Sequence, residues 1–152
     1  MGEKISVLIL VRRTFDVDLA SISRVDLKDG HFSHLVSTAG QEQIDEFESP
    51  YLPTTCCATV VREKEPLLIN SASQTKTGPQ CPMMKAEGFE AYLGVPIWLN
   101  GAVVGALEVV ARTPMTWGQA EIDRLSKFGK HVQDRLQAGQ NHLDLSELRL
   151  VQ

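Results

Sequence analysis

Asn100 and Gly101 stand between two runs of strand-forming residues, and this arrangement constrains the fold more than any other part of the sequence. A two-residue type I′ turn needs positive φ at both central positions, which Asn and Gly tolerate better than other residues. The runs before and after the turn, residues 91–99 and 102–111, are rich in β-branched and aromatic side chains. The pattern therefore predicts a β-hairpin.

An amphipathic helix is predicted directly after this hairpin. Pro114 ends the second strand, and Thr116 with Gln119 three residues later has the spacing of a capping box. From there, apolar side chains recur every three or four residues, which predicts a helix that packs on a sheet or on a partner helix. The stripe consists of Ile122, Leu125, Phe128, Val132 and Leu136, and Gly139 is predicted to end the helix.

The first half of the chain contains a second predicted hairpin. Residues 17–26 alternate between apolar and polar side chains, Lys28-Asp29-Gly30 supplies a turn, and residues 31–37 return as a strand. The apolar run 5–11 fits either a buried strand or the end of a helix, because a run this short has no decisive periodicity. Residues 40–50 are polar and acidic, and we expect a loop with at most one helical turn.

The middle of the chain alternates between short elements and one long loop. Thr54 or Thr55 is expected to cap a helix whose apolar side chains begin at Cys56 and which Pro66 stops. A short buried strand over 67–70 and a Ser/Thr/Gly/Pro-rich loop over 71–82 follow. Long loops in compact domains often carry function. A short helix over 83–87 is then ended by Gly88.

Composition excludes several classes of protein. The chain has 152 residues with 43% hydrophobic and 22% charged side chains, which suits one folded domain. The net charge is -4 and no Lys/Arg run occurs, so we expect no nucleic-acid partner. The run 5–11 is too short to span a bilayer and resembles no cleaved signal, so we expect a cytoplasmic protein that does not bind membranes.

Three cysteines are an odd number without a framework spacing: Cys56, Cys57 and Cys81. Free thiols in a reducing compartment are the simplest interpretation. Neighbouring residues on a helix point about 100° apart, so Cys56 and Cys57 are expected to divide between core and pocket rather than to bind one metal ion. Cys81 is expected to be an exposed loop thiol. His31 and His34 would face opposite sides of a strand, and surface positions are expected for both.

Five segments, in this order and spacing, resemble the GAF domain, a small-molecule sensing module of signalling proteins. The resemblance spans roughly residues 5 to 137 and implies an α+β fold. The fold would have a central antiparallel β-sheet of five to six strands, helices packed on one face, and a pocket between sheet and loops. Residues 1–137 would form this domain, and 138–152 a tail for which a helical linker is one interpretation. The segments are Asp18–Asp26, Cys56–Ile69, Gly88–Ile97, Gly101–Val109 and Met115–Leu125.

The resemblance also implies a function. It favours a noncatalytic regulatory domain that binds an unknown small molecule and signals through the terminal helices of a homodimer. The output domain would be a histidine kinase, a cyclase or a transcription regulator. Two alternatives stay open: a thiol-dependent enzyme of the free methionine sulfoxide reductase type, and a dimerisation module without ligand. No metal, haem or covalent bilin motif is evident. Relatives that attach a bilin usually carry a histidine after the cysteine, where this chain has Pro82.

Candidate site residues come from the pocket region that the resemblance implies. Aromatic and methionine side chains around the long loop and the second hairpin fit either a pocket wall or ordinary core; they are Met83, Met84, Phe89, Tyr92 and Trp98. Glu108 interrupts an apolar strand, and its carboxylate either faces solvent, which we favour, or enters the pocket. No catalytic residue is predicted. The predicted ligand-binding residues are Thr55, Cys56, Asn70, Met84, Phe89, Tyr92 and Glu108.

Overall fold

The structure, a computed structural model, describes residues 4–26, 28–74, 81–138 and 149–151. Over these residues, strands and short helices alternate before one long helix near the end. The elements are β1 (Lys4–Ser6), α1 (Val7–Phe15), β2 (Leu19–Asp26), β3 (His31–Thr38), β4 (Ile44–Pro50), α2 (Cys56–Glu63), β5 (Leu67–Ile69), α3 (Pro82–Glu87), β6 (Ala91–Leu99), β7 (Ala102–Ala111), α4 (Gln119–Ala138) and β8 (Arg149–Val151).

Six strands form one antiparallel sheet in the order β4-β3-β2-β7-β6-β5, and β1 pairs with β8 in a separate two-stranded sheet. The hairpin β6–β7 turns at Asn100 and Gly101, whose φ values are 53° and 81°. This confirms the turn, and the first hairpin β2–β3 is confirmed as well. The predicted class, an α+β fold around an antiparallel sheet of five to six strands, is confirmed by these elements.

Helices cover both faces of the sheet, whereas the sequence predicted helices on one face. On one face, α1 and α4 pack on the side chains of Leu93, Val95 and Leu107. On the other face, α2 and α3 pack around Tyr92 and Ala106. Strands β6 and β7 are apolar on both sides, and such strands are typical of a sheet buried on both faces. The alternation of residues along one strand does not show whether helices cover one face of the sheet or both.

Strand β4 replaces the predicted loop at residues 40–50. It pairs with β3 from Ile44 to Pro50 and forms one edge of the sheet. Most of its side chains are exposed, and acidic residues dominate. Charged side chains on an edge strand hinder pairing with another molecule. The polar composition that indicated a loop therefore belongs to an exposed edge strand, which backbone hydrogen bonds to β3 hold in place.

The ends of the helices follow local rules in most places. Thr55 caps α2, its side chain accepting from the N–H of Ala58 at 3.2 Å, and Gly88 ends α3 with φ 76°, as predicted. The capping box at Thr116 is wrong, because α4 begins at Gln119 and Glu121 accepts the N–H of Gly118 at 2.7 Å.

The apolar stripe of α4 is confirmed. Leu125, Val132 and Leu136 are fully buried against the sheet, with Ile122 and Phe128 half-buried. The chain after it is described only at residues 149–151, where Leu150 pairs with Ile5 in β8. The predicted end at Gly139 and residues 140–148 of the predicted tail lie outside the described residues. Among the described helices, none has the length and apolar content that crossing a membrane requires.

Candidate ligand-binding site

A cavity of about 300 Å³ lies between the sheet and the helices α2 and α3. Strands β2, β3, β6 and β7 supply its floor, and β4 with residues 50–52 supplies its rim. This volume is at the lower end of the range for small-molecule sites. We call it the Glu108 cavity; its lining residues are Ser23, Phe32, His34, Phe47, Ser49, Pro50, Leu52, Thr55, Cys56, Cys57, Cys81, Met84, Glu87, Phe89, Tyr92, Glu108 and Val110.

The structure brings six of the predicted site residues together in this cavity and places the seventh elsewhere. Asn70 binds the backbone of Trp117 instead: its Nδ2 donates to the carbonyl oxygen and its Oδ1 accepts from the N–H, each at 3.0 Å. Both polar atoms of the Asn70 side chain therefore hold the segment that leads into α4. The six residues that line the cavity are Thr55, Cys56, Met84, Phe89, Tyr92 and Glu108.

Glu108 is the charged group on the cavity floor, and the expectation that it faces solvent is wrong. Only 6% of its surface is exposed. Its Oε1 accepts hydrogen bonds from Ser23 at 2.7 Å and Ser21 at 3.2 Å, and its Oε2 accepts one from the Tyr92 hydroxyl. Burial raises the pKa of Glu108, and the three donors oppose this by stabilising the carboxylate. The error arises because helices cover the sheet face that we expected to be open.

A chain of hydrogen bonds links Glu108 to the rim. Ser23 donates to Glu108, so its oxygen is available to accept from Nδ1 of His34 at 2.9 Å. Nε2 of His34 then accepts from the Ser49 hydroxyl at 2.8 Å. This assignment of protons follows from the donor direction at Ser23. Desolvation lowers the pKa of His34, which favours the neutral ring that the assignment requires.

His34 is thus a cavity residue that the sequence interpretation missed. It is half-buried, and its ring stacks on Phe47 with centroids 4.7 Å apart. The signal was present in the sequence, because His34 alternates with Phe32 along one strand and therefore shares its face. His31 faces the other side of the strand, and its Nε2 lies 3.6 Å from Oε1 of Glu48.

Aromatic rings form much of the cavity wall. Phe32 contacts Tyr51, with ring centroids 5.1 Å apart, and Phe89 carries the Arg112 guanidinium with Cζ 4.4 Å from its centroid. Of the predicted aromatic–methionine group, Met84, Phe89 and Tyr92 line the cavity. Trp98 does not, because it lies near the opposite end of β6 from Tyr92, where it is 39% exposed.

A disulfide joins Cys56 to Cys81 at the cavity wall, which contradicts the expectation of free thiols. The two Cα atoms lie 5.5 Å apart, a usual separation for a disulfide. Cys81 is also buried rather than exposed. Spacing along the sequence carried no sign of this pair, since the fold of the intervening residues brings the two cysteines together.

Cys57 is the free cysteine and lies buried beside the same cavity. Burial raises its pKa well above the usual value, and the charge of Glu108 adds to that effect. Nucleophilic cysteines need a lowered pKa. Burial and a raised pKa therefore make Cys57 a poor nucleophile. The expected division between core and pocket is wrong, because both neighbouring cysteines line the cavity, one in a disulfide and one as a thiol.

One group of side chains outside the cavity has the spacing of a cation site. Asp26, Asp29 and His31 bring their potential ligand atoms within 4.8 Å of one another at the β2–β3 turn. Asp26 Oδ1 already accepts the backbone N–H groups of Lys28 and Asp29, each at 3.0 Å. This is the geometry of an ordinary turn, and such exposed acidic groups occur commonly without an ion.

The antiparallel sheet between two helical layers, with a cavity under one of them, defines an α+β domain whose cavity has the size of a small-molecule site. More particularly, the chain belongs to the GAF domain family, whose sequence profile matches residues 6–136. No curated protein matches the chain.

Solved structures of similar fold come from several signalling and enzymatic proteins. The GAF domain of an Acinetobacter phosphoenolpyruvate-protein phosphotransferase is 18% identical with a TM-score of 0.64, covering 89% of this chain and 82% of that chain. A domain of a sensor histidine kinase protein from Sinorhizobium meliloti is 16% identical with a TM-score of 0.62, covering 88% of each. A free methionine-R-sulfoxide reductase from Neisseria meningitidis, solved with its substrate, is 11% identical with a TM-score of 0.67, covering 90% and 77%. At such identities the likeness concerns the fold.

Proposed function

We propose that this protein is a noncatalytic sensory domain that holds a small molecule in the Glu108 cavity. The observation that carries the proposal is a buried carboxylate, fixed by three hydrogen bonds, on the floor of a mainly apolar cavity of about 300 Å³. A few placed polar groups within an apolar cavity are what small-molecule sites generally offer. Burying Glu108 costs stability, so a role in binding gives a reason for its presence.

Strands β6 and β7 supply a route from the cavity to the terminal helices. Tyr92 and Glu108 point into the cavity, while Leu93 and Leu107 on the same strands point into the layer of α1 and α4. A ligand that displaces either strand therefore displaces the surface on which α4 packs. We propose that α1 and α4 transmit this shift at the interface of a homodimer.

The wider context of the domain follows from the same proposal. Residues 1–137 act as the sensory unit and 138–152 as the connection to an output domain, for which a histidine kinase, a cyclase or a transcription regulator is suitable. The sensor kinase with this fold from Sinorhizobium meliloti supports the first of these. We place the protein in the cytoplasm, in keeping with that signalling role.

Native mass spectrometry of the purified protein tests the proposal, followed by a thermal-shift screen of nucleotides, amino acids, amines, haem and aromatic acids. A bound molecule raises the apparent stability by mass action. We expect one class to raise Tm in the wild type and not in a Tyr92→Trp variant that fills the cavity. If no compound binds, the ligand-free dimerisation module becomes the better description. Light scattering that shows a monomer at high concentration would remove the dimer from the proposal.

A second candidate, reduction of free methionine sulfoxide, is favoured by the Cys56–Cys81 pair at the cavity wall. The reductase from Neisseria meningitidis shares the fold. Two thiols can supply the two electrons that convert a sulfoxide to a thioether, the oxygen leaving as water and the thiols becoming a disulfide. An external dithiol would then restore both thiols.

Turnover of free methionine sulfoxide with dithiothreitol tests this candidate. We expect the activity, if this function is correct, to disappear in Cys56→Ser and in Cys81→Ser. Activity that survives serine at all three cysteines, or no activity in the wild type, rejects the enzyme and leaves the sensory proposal unaffected.

A further inference from the structure

The charged side chains that line the Glu108 cavity have one sign. Among the described residues that line it, Glu108 and Glu87 are acidic and none is lysine or arginine. Glu87 is exposed, whereas Glu108 is buried on the floor. A carboxylate or phosphate ligand would meet the Glu108 carboxylate without a compensating lysine or arginine among the described lining residues, which is costly in a buried site. The lining therefore disfavours anions.

Five aromatic rings surround the same space. A cation above a ring face is attracted by the ring quadrupole, and the attraction grows when water is excluded. One ring already shows this preference, since the Arg112 guanidinium lies with Cζ 4.4 Å from the Phe89 centroid. The side chains that supply the rings are Phe32, His34, Phe47, Phe89 and Tyr92.

The Glu108 carboxylate has capacity for a further donor. A carboxylate has about four acceptor positions. Oε1 accepts two hydrogen bonds, from Ser21 and Ser23. Among the described residues, Oε2 accepts one hydrogen bond, from Tyr92. All three neighbours donate, so they hold Glu108 as an acceptor. Burial raises the pKa of Tyr92 well above its usual value, which keeps this hydroxyl protonated as a donor.

We infer that the ligand is an organic cation, an amine or quaternary ammonium with an apolar or aromatic body. Its positive group would lie beside Oε2 of Glu108, and its body among the rings of Phe32, Phe47 and Phe89. This inference rests on the proposed sensory function, because it names the chemical class of the molecule that the Glu108 cavity binds. The paired carboxylate and rings supply both of the interactions that bury an organic cation favourably.

A charge series of similar size tests the inference on the wild-type protein. The probes are 2-phenylethylamine and benzyltrimethylammonium as cations, 2-phenylethanol as the neutral compound and 3-phenylpropionate as the anion. Isothermal titration calorimetry at neutral pH measures each affinity. We expect the cations to bind about tenfold or more tightly than the neutral compound, as one charge-assisted contact supplies, and the anion to bind weakest.

Two matched variants locate the effect. Glu108→Gln keeps the size of the side chain and removes its charge, and we expect it to bind the cations about tenfold more weakly while 2-phenylethanol binds unchanged. Glu65→Gln removes an exposed carboxylate outside the lining of the cavity and should leave both affinities near the wild-type values. Equal losses in the two variants would show a general charge effect and overturn the assignment to Glu108.

The outcomes separate this inference from the function on which it rests. A neutral or anionic probe that binds as tightly as the cations overturns the inference and leaves a small-molecule sensor. The same conclusion follows if every probe fails and the broader screen finds a ligand that is not a cation, whereas a cation found there supports the inference. If neither the probes nor the screen yields a ligand, the sensory proposal and the inference both fail.

Discussion

Tyr92 of β6 donates a hydrogen bond to Glu108 of β7, although the two residues are not direct partners in the strand register. The residue opposite Glu108 is Gly94. Because Gly94 has no side chain, the Tyr92 ring lies over it: a Cβ at Gly94 would stand 2.7 Å from Cζ of Tyr92. The hydrogen bond on the cavity floor therefore depends on a glycine that makes no polar contact with either group.

Gly94→Ala should break this relationship. The added methyl group must displace the Tyr92 ring, which is 3% exposed and has little room to move. We expect a loss of about 1–3 kcal/mol of unfolding free energy, the usual range for an overfilled core, together with weaker ligand binding. Urea unfolding measures the first effect and calorimetry the second. Gly118→Ala is the control, since a Cβ there meets nothing within 4 Å. An unchanged Gly94→Ala protein would contradict the packing described.

Glu108 should make stability depend on pH in an identifiable direction. Its pKa is raised in the folded protein, so the folded state holds the proton over a pH range in which the unfolded state has lost it. The contribution of Glu108 to stability is therefore greatest below its unfolded pKa, about 4.3, and falls as pH rises through the folded pKa. The stability of Glu108→Gln relative to wild type should therefore increase as the pH rises above about 4.

Unfolding by urea at a series of pH values measures this difference. The groups that face Glu108 from other elements are Tyr92 on β6 and Cys57 on α2, both with raised pKa values. Both groups titrate above the range from about pH 4 to 7 over which the two proteins are compared. His34 reaches Glu108 through Ser23 and is present in both proteins. A gain of the same size in the exposed Glu87→Gln variant would attribute the effect to net charge and contradict the prediction.

The Cys56–Cys81 disulfide should stabilise the domain by linking residues 25 positions apart. Chain-entropy estimates for a loop of this length give about 3.5 kcal/mol. We expect Cys81→Ser to lose about that amount of unfolding free energy and dithiothreitol to lower the Tm of the wild type. The double variant Cys56→Ser/Cys81→Ser serves as the control and should not respond to the reductant. Mass spectrometry that finds three free thiols in the oxidised protein would disprove the bond.

Asn70 should matter for stability and not for the ligand. Its side chain makes two hydrogen bonds to the Trp117 backbone and does not line the Glu108 cavity. Asn70→Ala should cost about 1–3 kcal/mol, since it leaves backbone groups without their partner, and should leave the affinity for any ligand of the cavity within about twofold. Thermal unfolding and calorimetry on the same sample separate the two effects. A large loss of affinity would return Asn70 to the binding site.

Local rules located most elements of this domain before its structure was known. The Asn100–Gly101 turn, the Thr55 cap and the stripe of α4 all depend on residues close together in the chain. Two predictions were wrong: the start of α4 at Thr116 and the loop at residues 40–50, where the structure has strand β4. Thr116 has the right residue type for a cap, but Glu121 accepts the backbone N–H of Gly118 at the start of α4 instead. Strand β4 has the composition of a loop, but its pairing with β3 makes it a strand.

The sequence predicted most of the residues that line the candidate site but not the contacts that their side chains make. Six of the predicted residues line one cavity. Their prediction was possible because the resemblance to the family implied a pocket in this region. The direction of Glu108, the burial of His34 and the Cys56–Cys81 bond were missed. The first two depend on which layer covers a given face of the sheet, and alternation along one strand is the same whichever layer that is. The disulfide depends on how the residues between the two cysteines fold.

The sequence by itself therefore determined most of the secondary structure around its turns and caps, since this follows from backbone preferences and hydrophobic period. Its resemblance to the family implied the antiparallel sheet. Only the tertiary structure decided that Glu108 is a buried acceptor for Tyr92, Ser21 and Ser23 rather than a surface charge. The physical reason is that the ionisation and hydrogen bonding of a side chain are set by the groups that surround it in space. For Glu108 these groups come from strands β2 and β6, far apart in the sequence.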